Sequence, residues 1–220
     1  MKLYVYDHCP FCVKARAIFG LANISFELAI LLNDDEETPT RMIGKKMAPI
    51  LGHDGHFIPE SMDIVAYVAQ LAWGGGLPGP ANAEIAIWMN AVTEPLYRLA
   101  MPRWAAAPLP EFATAEARAY FTRNKENAIG SFAEHLEKSD EYIDRLNSLL
   151  LDLAPLIQSP DAVNGVISSD DIHLFSTLRA MSIVENVIYP PVVEAYRRQM
   201  AQATGVALHD DIATRPVKAH

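Results

Sequence analysis

Cys9 and Cys12 are the chain's two cysteines, and they stand two residues apart in the stretch DHCPFC, residues 7–12. Two thiols at this spacing can close and open a disulfide, supply half of a metal site, or pack as small buried hydrophobes. Their neighbours separate these readings. A run of β-formers, KLYVY, leads in, and PFCVKARAIFGLANI follows with a helical pattern of apolar positions. Pro10 suits the first helical position, where its missing N–H costs nothing. Cys9 is then expected at a helix N-terminus, where unpaired amides and the positive end of the helix dipole favour thiolate over thiol. Cys12, one turn further on, shares that face. Cys9 is expected to be the exposed nucleophile and Cys12 the deeper, resolving thiol. Lys14, Arg16 and a protonated His8 would add to the effect if they point toward Cys9.

A zinc site needs four ligands, and the chain has no second CxxC to complete one. His8, His53 and His56 are the candidate histidine ligands, although His53 and His56 flank a turn and read equally as polar strand ends. A cluster shared between two chains is a further possibility, which the rigid Pro10 makes less attractive. Redox exchange is the reading the context favours.

The elements that position the pair follow from the changing rhythm of the first 72 residues. KLYVY is a strand, the run from Pro10 a helix, and FELAIL a second strand, together a βαβ unit with parallel strands. The acidic NDDEETPTRMIGKK reads as a solvated loop entering a short helix. APILGHDGHFIPE is a hairpin turning at Asp54-Gly55, and ESMDIVAYVAQLAW an amphipathic helix. The order β-α-β-α-β-β-α is that of a thioredoxin-like α/β domain.

GGGLPGP, residues 74–80, lies within a linker placed at 73–81. Residues 82–220 show no strand pattern, so an all-α C-terminal domain is expected. AEIAIWMNAVTEPLYRLAMPRW is helical with a break or kink at Pro95. The stretch from PEFATAEARAY to LLLDLAPLI supports two long helices divided near Ser139. SDDIHLFSTLRAMSIVEN and PPVVEAYRRQMAQATG supply two more. In ISSDDI, Ser168 is expected to cap a helix while Asp171 reaches back to its amide, between staple positions Ile167 and Ile172. Trp88, Tyr97 and Trp104 are expected to pack between helices.

With 18 basic against 27 acidic residues the net charge is −9, which argues against a nucleic-acid or anionic-membrane surface. Neither a signal-peptide pattern nor an apolar run long enough to span a bilayer is visible. A cysteine pair of this kind, with no export signal, fits a reducing cytoplasm.

The motif CPFC in this setting resembles the glutaredoxins, whose usual form is CPYC. The segments KLYVYDHCPFCVKARAIFGLANI, LLNDDEETPTRMIGKK, PESMDIVAYV and NGVISSDDIHLFSTLR are together similar to the two-domain bacterial glutaredoxins built on a glutathione-transferase fold. The resemblance runs over nearly the whole chain. It implies a thiol–disulfide oxidoreductase that uses glutathione as reducing co-substrate, binds no tight cofactor or metal, and acts as a monomer on disulfide-containing or glutathionylated proteins. It also implies three binding elements. Ala48, before a cis Pro49, would offer its backbone to the cysteinyl part of glutathione. Ser61 would hold the γ-glutamyl carboxylate and Glu60 the ammonium, at the start of a helix; a plain cap at Ser61 is the alternative. Phe11, in place of tyrosine, would leave an apolar rim. A glutathione transferase acting on electrophiles shares these contacts, and a non-enzymatic interaction module shares the fold.

Overall fold

The computed structural model describes residues 1–213; residues 214–220, which the expected helical domain includes, lie outside them. The first part of the chain forms β1 (Lys2–Val5), α1 (Pro10–Leu21), β2 (Glu27–Ile30), α2 (Glu37–Ile43), β3 (Ile50–His53), β4 (His56–Pro59) and α3 (Ser61–Trp73). This is the expected βαβαββα order. The four strands make one sheet in the order β2-β1-β3-β4. β1 and β2 pair in parallel through the α1 crossover, while β1–β3 and β3–β4 are antiparallel. Asp54 and Gly55, with φ of 49° and 77°, provide the two left-handed positions that a tight two-residue hairpin turn needs.

Strand and helix periodicities converge on one core. Leu3 and Val5 of β1 are buried with Ile50 and Leu51 of β3. From α1 come Val13, Ile18 and Phe19, and from α3 come Ile64 and Val68. α3 ends at Gly74, whose φ of 70° is the left-handed closing position that favours glycine.

The first compact unit is wider than residues 1–72. It comprises Met1–Leu77 together with Pro108–Phe121 and Ala203–Val206. The physical reason lies in particular contacts. The Asn33 amide donates to the Glu111 carbonyl at 2.9 Å, and Phe112 stacks on His8. A Cβ on Gly20 would fall inside the van der Waals reach of the Thr204 backbone, so that close approach needs glycine.

The rest of the described chain contributes helices only: α4 (Ala83–Ala106), α5 (Ala115–Ile129), α6 (Phe132–Glu137), α7 (Ser139–Leu153), α8 (Ser169–Met181) and α9 (Pro191–Thr204). Of the break or kink expected at Pro95, the break is absent: α4 continues through both Pro95 and Pro102, which are buried within it. The region expected as two helices holds three. Gly130, at φ 94°, ends α5, and Ser131 starts α6 by accepting from the Glu134 amide, while the expected division appears at Ser139. At α8 the expected capping box is present: the Ser168 amide donates to Asp171 Oδ2 at 2.8 Å. Trp88 and Trp104 are buried, and Trp88 Nε1 donates to the Leu149 carbonyl at 2.6 Å.

Candidate active site

Sheet register brings the predicted residues to one end of the first unit. β1 ends beside the end of β2, with Val5 opposite Ile30. β3 begins beside that same end, with Tyr4 opposite Ile50. β4 finishes there too, with Ile50 opposite Pro59. Cys9 follows β1, Ala48-Pro49 precedes β3, and Glu60-Ser61 follows β4. Antiparallel pairing of β3 and β4 with the parallel pair thus gathers three loops distant in sequence.

Cys9 is the N-cap of α1 and Pro10 its first residue, as expected. Cys9 is partly exposed, whereas Cys12 is fully buried, and both are free thiols. The acidities of the two thiols move apart. Cys9 falls to about 6, chiefly because Cys12 donates to its sulfur. Burial opposes that shift, while the charge of His8 and the amides of Cys12 and Phe11 assist it. Cys12 is pushed well up by burial first and by its tie to Cys9 second. The Tyr6 amide also donates to Cys12 Sγ, at 3.3 Å.

Of the three cations considered from sequence, His8 contributes most directly. Its imidazole is buried, with Nδ1 2.6 Å from Glu111 Oε1, and its backbone N–H donates to the same oxygen at 2.8 Å. Lys14 lies over the ring of exposed Phe11 at 4.8 Å from the centroid, and interacts electrostatically with Cys9. Arg16 turns instead to Asp7, 2.6 Å away. His53 turns to Tyr67, with Nδ1 2.7 Å from the hydroxyl. Among the described residues no group of three or more His, Cys, Asp or Glu is arranged to hold a metal ion.

The Ala48–Pro49 peptide is cis. At the third element, Glu60 precedes α3 with φ 66° and ψ 127°, an uncommon backbone position for a residue with a side chain. Its carboxylate lies 3.4 Å from Lys45 Nζ in an exposed ion pair. Ser61 is buried at the first position of α3, and no side chain caps that helix. The capping alternative for Ser61 is therefore not what its hydroxyl does here, and the first amides of α3 are left for another acceptor.

Glu111 is the residue that sequence reasoning missed. It is fully buried in a single 3-10 turn, Pro110–Phe112, more than a hundred residues from Cys9. No periodicity marks it; the one signal is an acid set between a proline and a phenylalanine in LPEF.

The wider likeness of the chain agrees with this geometry. A family model for the C-terminal domain of glutaredoxin 2 matches residues 84–213, and one for the N-terminal domain of glutathione S-transferase matches residues 3–75. Glutaredoxin 2 of Escherichia coli (strain K12) is 47% identical over 97% of this chain and all of its own length. The chain belongs to the glutaredoxin 2 family. As a glutaredoxin it is a glutathione-dependent thiol–disulfide oxidoreductase with a thioredoxin-like α/β domain and a helical domain. The structure of glutaredoxin 2 from Salmonella typhimurium, solved in complex with glutathione, superposes with a TM-score of 0.95 at 48% identity, covering 97% of this chain and 98% of that one. The glutathione transferase GSTFuA3 from Phanerochaete chrysosporium shares the fold alone, at a TM-score of 0.67 and 15% identity over 92% of this chain and 96% of its own.

Proposed function

We propose that in this glutaredoxin Cys9 is the attacking thiolate, Cys12 the resolving thiol, and that glutathione lies across Ala48-Pro49 and Glu60-Ser61. The observation that carries the assignment is the opposite movement of the two thiols: the partly exposed one is acidified to about 6 and the buried one is held protonated. A thiolate attacks and a thiol waits, so the pair has a built-in order. The glutathione bound to the Salmonella relative, together with the register that gathers these loops, supports the binding roles.

With a protein disulfide, the Cys9 thiolate attacks one sulfur; a new S–S bond forms as the old one breaks, and the leaving thiolate takes a proton from solvent. Cys12 then loses its proton and attacks Cys9 Sγ, releasing the second substrate thiol and leaving a Cys9–Cys12 disulfide. Two glutathione molecules reduce that disulfide and depart as one glutathione disulfide. With a glutathionylated protein Cys9 alone suffices: it bonds to the glutathionyl sulfur as the protein thiol departs, and a second glutathione attacks that sulfur, leaving as glutathione disulfide and freeing Cys9. The Ala48 backbone would pair with the cysteinyl peptide of glutathione. The α3 amides and the Ser61 hydroxyl would receive the γ-glutamyl carboxylate, and Glu60 the ammonium. Holding the tripeptide at these points aligns its sulfur with Cys9.

Protein disulfides and glutathionylated proteins are the proposed substrates, a monomer the proposed state, and a reducing cytoplasm the proposed setting. Among the described residues no helix is long and apolar enough to cross a membrane. A redox domain at residues 1–72 and a helical domain at 82–220, joined by the 73–81 linker, remain the proposed functional division.

The test is glutathione-dependent reduction of a small glutathione mixed disulfide by wild type, Cys9→Ser and Cys12→Ser. Activity is expected to vanish with Cys9→Ser and to persist with Cys12→Ser. Persistence with Cys9→Ser would overturn the assignment.

A further inference from the structure

We propose that Glu111 is a positioning residue of the redox centre: its carboxylate holds the imidazole of His8 beside Cys9 and so favours the Cys9 thiolate. The inference rests on Cys9 as nucleophile, and adds a residue from the segment 108–121 that no motif around the thiols includes.

The geometry is specific. Glu111 Oε1 accepts both the backbone N–H of His8, at 2.8 Å, and the ring Nδ1–H, at 2.6 Å. One oxygen therefore sets the chain position of the residue before Cys9 and the tilt of its ring. Glu111 is held in turn by its backbone, whose carbonyl accepts from the Asn33 amide at 2.9 Å. Its other carboxylate oxygen, Oε2, is buried without a hydrogen-bond partner. A buried carboxylate is costly unless a positive group compensates it, and the ion pair Glu111 makes is with His8. Burial pushes the Glu111 carboxyl up, yet the hydrogen bond and charge of His8 more than offset this and hold it below its usual range. The group is thus an anion, and the side chain set against it is His8.

Aromatic faces complete the setting. Phe112 stacks on His8 at 5.2 Å between centroids, Tyr6 at 6.1 Å, and Phe121 meets it edge-on at 5.1 Å. Such faces tolerate a cation. The other ionisable groups near the centre are accounted for. Cys12 and Lys14 of α1 act on Cys9, and Tyr6, at the end of β1, senses both thiols. Asp35 and Tyr120 act on Tyr6, and Arg16 is tied to Asp7.

The direction of a single substitution separates this role from a bare charge effect. As an isolated buried anion, Glu111 would repel a thiolate, and removing it would make Cys9 more acidic. Acting through His8, its removal has the opposite result. The experiment measures the rate of Cys9 alkylation by iodoacetamide against pH, resolved by mass spectrometry, in the reduced full-length chain. Glu111→Gln and His8→Gln are each expected to raise the midpoint, by up to about one pH unit, a roughly tenfold loss of thiolate below it. The double variant is expected to match His8→Gln, because the two act in series. An unchanged or lowered midpoint in folded Glu111→Gln overturns the proposal. Should that variant not fold, His8→Gln and the wild type decide. An unmoved midpoint in His8→Gln would equally sink it. Alkylation reports the thiolate itself, whereas the Cys9→Ser assay reports catalysis, so failure of one reading is distinguishable from failure of the other.

Discussion

Cys9 owes its acidity to several groups that each stabilise negative charge: a thiol donor from Cys12, two helix amides and the His8 charge, together outweighing burial. The consequence is a pH dependence of definite sign. With a pKa of about 6, against an ordinary cysteine near 8.5, the folded chain holds the thiolate preferentially. The stability this contributes to the reduced protein is fully present above the ordinary thiol pKa and is lost as pH falls through about 6. Turnover of a glutathione mixed disulfide under conditions where Cys9 attack limits the rate is expected to rise with pH to a plateau, half-maximal near pH 6. Stopped-flow measurement checks this, and a midpoint near 8.5 would show that the helix terminus and His8 do not act on Cys9 as described. Cys12 titrates far above this range and contributes no second inflection there.

At the scale of elements, α8 begins on a network more extensive than a helix start requires. Asp171 is fully buried. Its Oδ2 accepts from the Ser168 amide, and its Oδ1 accepts from the Val163 amide at 2.7 Å and the Tyr196 hydroxyl at 2.9 Å. The last of these ties α8 to α9. Asp171→Ala would leave two amides and a phenol buried without partners, at a cost of about 3–5 kcal/mol in unfolding free energy. Urea denaturation followed by circular dichroism measures it. A loss below ~1 kcal/mol, the worth of an ordinary cap, would mean that the network adds nothing beyond capping. Ser61 at the start of α3 offers the contrast, since no side chain caps that helix. One helix start is closed on itself for stability and the other is open, as a site for an anionic group requires.

For the whole molecule, distance along the chain matters less than where segments come to rest. The first unit is completed by residues 108–121 and 203–206. At Gly20 of α1 the backbone of Thr204 passes so close that a Cβ has no room. Gly20→Ala is therefore expected to destabilise the protein by about 1–3 kcal/mol. Gly75→Ala, where an added Cβ meets nothing within 4 Å, is expected to leave stability unchanged. Thermal unfolding of the two variants side by side tests this. Equal midpoints would show that residues 203–206 yield freely.

Local chemistry determined what could be read from the sequence alone. Pro10 after Cys9 gives the helix start, Asp54-Gly55 the hairpin, Ser168 and Asp171 the capping box, and each depends on a few adjacent residues whose steric and hydrogen-bonding preferences suffice. The closeness of the two thiols at the start of one helix was legible for the same reason. The break that Pro95 could have caused is a local preference, overridden in α4, where the proline is buried within a continuous helix. The pairing of His8 with Glu111 was decided only by tertiary structure. No local preference links residues more than a hundred positions apart, and a buried acid in a short turn has no period to reveal it. Burial of the carboxylate, and the positive charge that such burial demands, exist only once segment 108–121 has folded against the redox centre.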